Sequence, residues 1–426
     1  MKLVAAALPV LASAFVLPPN QAPLSHVPQA GHEDAHHASW WEQVQHRKES
    51  LASAWDEALD TAQSGLEHAA DAVEAQWNEV ASSFNGGHQH EFPEQTIYQV
   101  ISDSKYTTKF AKIVDHHPDV VKLLNSTDAG NYTLFVPLDS AFEHIPEHHK
   151  KPSDDFVEAL LLYHVALGNY PAGRVLHSHT IPTALNESFL GGDAQRLRVR
   201  LGLRGVKLNF YSSLVATDFA TKNGLIHAIG DILVPPPFAG REISLFPQYF
   251  STLLLAWEKT DFGKFVHGVK TTGTTVFAPS NEAFSRLGTR ANAFLFNTET
   301  GLKYLNAILK YHVTANATLY SDAYYDHTSD EDAVNSASGT HYELTTLLHD
   351  LHLGVDVGRV LGFLTLRVNG FSRVTVQDGI ARNGVVHVVD KVLIPPHKHH
   401  SHEEEVFETD DISVEELKER LDEYVE

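Results

Sequence analysis

The clearest periodicity in the chain lies between Trp40 and Val80. Leu51, Trp55, Leu59, Ala62, Leu66, Ala69, Val73, Trp77 and Val80 recur every three or four residues, with Glu and Asp across much of the opposite face. That spacing gathers the apolar set on one side of a helix. Residues 40–82 are therefore expected to form an acidic amphipathic helical segment, continuous or broken near Gly65. Three uses are open to its Trp stripe: packing on a neighbouring domain, self-association through 40–80, or lying on a membrane surface. The excess of acid disfavours the last.

Past the Asn85-Gly86-Gly87 linker the pattern becomes mixed. Val100–Leu124 reads as helical, with Phe110, Ile113, Val114, Val121 and Leu124 apolar. Leu134–Val136 and Val276–Ala278 read as buried strands, each ended by a Pro that cannot donate to a ladder. Phe156–Val165 and Leu302–Val313 read as helices whose last turn carries Tyr-His. The Asn-Gly pairs at 223–224 and 383–384 signal hairpin turns. The runs after them, Leu225–Ile229 and Val385–Val389, read as strands, and Ile232–Val234 and Val392–Ile394 as further strands before Pro-Pro.

These runs repeat. Residues 133–142 read TLFVPLDSAF and residues 275–284 read TVFAPSNEAF. LLLYHV at 160–165 returns as ILKYHV at 308–313, and NGLIHAIGDILVPP at 223–236 returns as NGVVHVVDKVLIPP at 383–396. Three ordered matches establish a duplication. The offset grows from 142 to 148 to 160 residues, so the second copy carries two insertions. The modules span 96–236 and 243–396. The joint between them, PPPFAGRE, is short and Pro-rich and should restrict their relative orientation. After them come a His-rich and acidic tail, 397–426, and a short terminal helix signalled by Ser413 and Glu416 in capping-box spacing.

The three blocks together resemble the fasciclin domain family: TLFVPLDSAF and TVFAPSNEAF its first block, Tyr163-His164 and Tyr311-His312 its tyrosine–histidine motif, and the two Asn-Gly runs its closing block. The resemblance covers about 70% of the chain. It implies an α+β fold of tandem modules, each a β wedge or sandwich with flanking helices. It also implies a cell-surface, matrix or endomembrane protein concerned with adhesion. A two-module form without Cys is similar to fungal members, some of them vacuolar. The acidic segments at both ends fall outside the family pattern.

Composition narrows the chemistry. The 426 residues suit two domains plus tails. The formal charge of −22 sits almost wholly in residues 31–94 and 403–426, which leaves the modules near neutrality and a poor match to nucleic acid. Lys2, the apolar run Leu3–Leu11 and Ala12-Ser13-Ala14 form a signal-peptide pattern, with residues 1–14 removed and 15–39 a flexible leader. Sequons at Asn125, Asn131, Asn186 and Asn316 fit a secreted glycoprotein. No stretch is long and apolar enough to span a bilayer. The absence of Cys excludes thiol catalysis and Cys-ligated metals.

Tyr163, His164, Tyr311 and His312 are the candidate binding or structural motif. A ring hydrogen-bonded to a backbone carbonyl is the plainer reading, and ligand contact the sharper one. Gly224, His227, Gly384 and His387 are read as structural, as are Asp139 and Asn281, taken as helix caps. Asp and Asn are interchangeable as caps but not as acids, which argues against acid–base chemistry there. His32, His36 and His37, and His397, His399, His400 and His402, lie beside acids, where weak zinc or copper binding or a pH response competes with a plain solvated tail. No phosphate loop, nucleophile elbow or H-E-x-x-H is present. No catalytic residue, metal site or cofactor is expected. The function expected is non-enzymatic adhesion or binding at the cell surface, wall or matrix, with protein or glycan partners. A vacuolar or endomembrane luminal interaction protein is the alternative, and a wall-polymer hydrolase a third.

Overall fold

The computed structural model describes residues 91–92, 94–127, 131–143, 152–202, 205–327, 333–335, 340–349, 351–360, 363–396 and 410–425. The expectations for 1–14, 15–39, 40–82 and the His-rich stretch 397–402 lie outside these residues.

The first module opens on strand β1 (Glu91–Phe92) and three short helices, α1 (Ile97–Asp103), α2 (Thr108–Val114) and α3 (Pro118–Asn125). They replace the single helical stretch expected over Val100–Leu124. Thr96 and Gln99 form a capping box that starts α1, and Pro118 starts α3. Then come β2 (Tyr132–Pro137), α4 (Asp154–Tyr163), β3 (Val165–Leu167), α5 (Ala172–His177), β4 (Thr180–Asn186), β5 (Ala194–Gly202), β6 (Gly205–Leu208), β7 (Ser212–Thr221) and β8 (Gly224–Ile229). The sheet order is β1-β7-β6-β5-β4-β3-β2-β8, and β7 also pairs with β8, so the strands close on themselves. β2 and β8 run parallel at its centre. Leu134, Val136 and Ile226 face the α1–α3 side. Phe135, Tyr163 and Ile229 face the opposite cluster with Leu197 and Leu208. Each central strand is thus buried on both faces, which is why it reads as a continuous apolar run.

The second module repeats this plan with α6 (Ala239–Ser244), α7 (Pro247–Lys259), α8 (Phe262–Gly268), β9 (Thr274–Pro279), α9 (Asn281–Arg286), α10 (Thr289–Asn297), α11 (Glu299–Tyr311), β10 (Val313–Ala315), β11 (Ala317–Leu319), β12 (Tyr324–Asp326), β13 (Ala333–Asn335), β14 (Thr340–Thr345), β15 (His352–Val360), β16 (Phe363–Val368), β17 (Ser372–Ala381) and β18 (Gly384–Val389). Its main sheet runs β10-β9-β18-β17-β16-β15-β14, with β9 and β18 parallel. Where the first module has α5, this one has a separate three-stranded sheet, β11-β12-β13. After the second module, Ser413 accepts from the Glu416 N–H and starts α12 (Val414–Leu421). Ile412, Leu417 and Leu421 are buried in the second module's core, so the end of the chain completes that module.

Two expected strands are absent. Ile232–Val234 and Val392–Ile394 are buried segments without a ladder. The Leu233 and Leu393 N–H groups go instead to histidine rings. The hairpin turns also differ in detail. Thr221 pairs with Gly224 and Ala381 with Gly384, so the loop residues are Lys222-Asn223 and Arg382-Asn383. Glycine is required for a different reason: a Cβ at Gly224 would sit 1.9 Å from the Tyr132 carbonyl oxygen, and one at Gly384 1.9 Å from that of Thr274.

The modules meet along β5. Arg196 donates to the Tyr325 hydroxyl at 3.0 Å, Gln195 Nε2 to the Ala381 carbonyl at 3.1 Å, and Arg198 Nε to the Gln377 carbonyl at 2.8 Å. Asp322 accepts from the Thr180 N–H and hydroxyl, and Arg382 pairs with Glu187 at 3.1 Å. Asp322 and Tyr325 both come from the part of the second module that replaces α5. No helix among the described residues is long and apolar enough to cross a membrane.

Candidate functional site

Each Tyr-His pair sits at the end of a helix and points inward. His164 is the C-cap of α4, and His312 that of α11. A helix leaves its last carbonyls without partners. His164 Nδ1 lies 2.8 Å from the Leu160 carbonyl and His312 Nδ1 2.8 Å from that of Ile308, one turn back. On the other side of each ring, Nε2 accepts the Leu233 N–H at 3.0 Å or the Leu393 N–H at 2.9 Å. A nitrogen that accepts from a backbone amide carries no proton, so both rings are neutral with the hydrogen on Nδ1. Burial pushes both down to about 4, against the pull of the carbonyl bond.

His227 and His387 form a second matched pair with the opposite tautomer. Nε2 donates to the Tyr170 carbonyl or the Leu319 carbonyl, each at 2.7 Å. Nδ1 accepts the Asp218 N–H at 3.1 Å or the Asp378 N–H at 3.3 Å. Those aspartates sit at register breaks in β7 and β17 with φ of +62° and +60°. A bulge leaves amides without a ladder partner, and the ring supplies one. Phe135 and Phe277 stack on these rings, and burial lowers both histidines.

The tyrosines are saturated as well. Tyr163 Oη donates to the Arg196 carbonyl at 2.9 Å and accepts from Asn209 Nδ2 at 2.8 Å. Tyr311 Oη donates to the His352 carbonyl at 3.3 Å and accepts from Asn369 Nδ2 at 3.0 Å. Burial raises Tyr163 well above the usual phenol range and Tyr311 to about 12. Tyr163, His164, His227 and His387 have no exposure, and Tyr311 and His312 have 1% and 2%. A partner on the surface cannot touch them.

Asp139 and Asn281 cap something other than the helical turns that follow them. Asp139 accepts from the Lys109 N–H and the Thr108 hydroxyl, both at 2.8 Å, and so caps α2. Burial alone would raise its carboxyl, but the Lys109 and Thr108 bonds outweigh that and hold it low. The cap of α9 is Ser280. Asn281 inserts its carboxamide into α7, accepting from the Thr252 N–H and donating to the Gln248 carbonyl, both at 2.9 Å. A carboxylate here could accept but not donate.

Asn223 and Asn383 signal turns in the sequence but not their helix contacts, and Asn209 and Asn369 carry no sequence signal. Asn223 and Asn383 each accept from the first N–H of a module's first helix, that of Ile97 or Ala239. The second module's first helix therefore begins within the joint, at Ala239. Asn209 and Asn369 hold the tyrosines from tight turns with φ of +47° and +50°. Of the sequons, Asn125, Asn131 and Asn186 are exposed, while Asn316 is half-buried and accepts the Thr272 N–H. Among the described residues no group of three or more His, Asp or Glu could hold a metal ion.

A family model described as the fasciclin domain matches residues 105–235 and 248–395. The chain belongs to the fasciclin family. The fasciclin chain is 30% identical over 323 residues to the aurofusarin biosynthesis cluster protein S of Gibberella zeae, covering 71% of this chain and 78% of that protein. It is 28% identical over 266 residues to the transforming growth factor-beta-induced protein ig-h3 of Oryctolagus cuniculus, covering 62% of this chain but 33% of that protein. A fasciclin domain pair from the insect cell adhesion molecule Fasciclin I covers 67% of this chain and 96% of that one, at 16% identity and a TM-score of 0.31. Both matched stretches are α+β modules of mixed sheet with flanking helices.

Proposed function

We propose that this fasciclin protein is secreted and binds protein or glycan partners of the wall or matrix through its outer surface, without chemistry of its own. The observation that carries this reading is the saturation of the motif. Six titratable side chains in the two copies spend their bonds on the backbone and the turn asparagines of their own module, and none is left to a ligand. A hydrolase would need two carboxyls about 5–9 Å apart in a cleft. The cavity at the joint, about 50 Å³, is lined by one carboxyl, that of Glu242. Locating the tagged mature protein tests the reading. Signal in the medium or wall supports it, and signal confined to the vacuolar lumen favours the endomembrane alternative.

A second reading rests on the Gibberella zeae relative, whose name ties it to a biosynthetic cluster and which this chain matches over most of its length. On that reading the modules serve as a non-catalytic partner of biosynthetic enzymes. Enrichment of such enzymes over wall components with the tagged protein would favour it.

A further inference from the structure

The joint between the modules contains an unusual pair of charges. Arg198 projects from β5 of the first module and Glu242 from α6 of the second. They are 6% and 9% exposed. No ion pair within 4.0 Å joins them among the described residues. Arg198 Nη1 and Glu242 Oε2 are both buried without a hydrogen-bond partner. The Arg198 guanidinium lies over Phe210, 4.0 Å from the ring centre. Glu242 lines the joint cavity with Asn209, Phe210, Tyr211, Pro237 and Phe246.

We propose that this joint is a proton-gated hinge, closed while the Glu242 carboxyl carries its proton and loosened when it ionises. A neutral carboxyl can remain in an apolar joint. A carboxylate with an oxygen facing no donor draws water in, and the entry of water separates the walls. The walls are the two modules. The turn between α6 and α7 meets this site through Leu245 and Phe246. The charged and titratable groups around it are Arg198 and Arg200 on β5, Asp378 on β17, His387 on β18, Tyr163 on α4 and Tyr211 after β6. Burial raises Glu242 to about 8, against the pull of Arg198. The same burial lowers Arg198 to about 9. His387 is lowered and Tyr163 raised, so neither titrates between pH 7 and 9.

The sign follows from a folded value above the unfolded one. Closure is fully favoured below about 4.5 and is lost as pH rises through about 8. The chain has no Cys, so Lys122→Cys and Arg290→Cys place one dye on each module of the full-length protein. Energy transfer between them should be greatest near pH 5 and lower at pH 9, the fall being complete once pH has risen through about 8. Glu242→Gln should remove the fall. Arg198→Met, which deletes the charge favouring ionisation, should move the midpoint upward. Constant transfer to pH 9 in the parent, or an unchanged fall in Glu242→Gln, would overturn the hinge.

Discussion

The two modules share their internal hydrogen bonds almost atom for atom and differ where they meet. Each fixes its helix end with Tyr-His, its bulge with a second His and its first helix with the Asn of Lys/Arg-Asn-Gly. The contact surfaces are not shared. The matching Asn209 and Asn369 bonds show that Arg198 holds the position Gly354 holds in the second module, and the tyrosine bonds show that Arg196 holds that of His352. At the turn after β6 the first module has Phe210 at φ +68°, and the second has Gly370 at +74°. A left-handed Phe costs about 1–2 kcal/mol. Burying its ring regains roughly 1.5–3 kcal/mol, and Phe210 lies within the cluster of the second module's core. Duplication thus preserved what folds each module and altered what joins them.

The largest expected effect tests the shared part. Gly224→Ala and Gly384→Ala each drive a methyl into a backbone carbonyl, so each should cost more than ~4 kcal/mol and unfold its own module. Calorimetry of the two variants should show loss of different transitions. Removing 410–426 breaks the symmetry instead. It takes away the three buried apolar side chains of the terminal segment and uncovers the core they pack on, and should lower only the second module's transition.

The acid response comes next. His164 and His312 are held at about 4 in the fold against 6.5 unfolded. Their contribution is complete above pH 6.5 and is lost as pH falls toward 4, at about 3 kcal/mol per ring. Urea midpoints at pH 7 and 4.5 should fall in both modules together. A fall in one alone would break the equivalence. The smallest effect separates the tyrosines. Tyr163→Phe should cost about 1–2 kcal/mol and Tyr311→Phe less, because the Tyr311 donor bond is the longer. Equal losses would show that the leftover Asn209 and Asn369 donors set the cost.

Much of the fold was legible because duplication doubled each signal. Tyr-His, Asn-Gly and the Pro-ended strands stand out once aligned. The partners of the motif were not legible, since Asn209-Phe210 and Asn369-Gly370 look unrelated until their backbone shows the same left-handed turn. Ile232–Val234 read as a strand because it is apolar, yet its amides bond to side chains far away in the chain. Asp139 and Asn281 looked like local caps, but their targets lie about thirty residues earlier. The joint was legible only as short and Pro-rich. Its charges come from β5, α6, the loops carrying Glu187 and Arg382 and the region replacing α5, which only tertiary structure brings together.

The motif histidines are internal, neutral staples. Nitrogen shifts of the imidazoles, followed by NMR from pH 7.5 to 4.5, test it most directly. The hydrogen should sit on Nδ1 in His164 and His312 and on Nε2 in His227 and His387, with no titration of any of the four near 6.5. A ring among them that titrates near 6.5, or His164 and His312 carrying the hydrogen on Nε2, would contradict it.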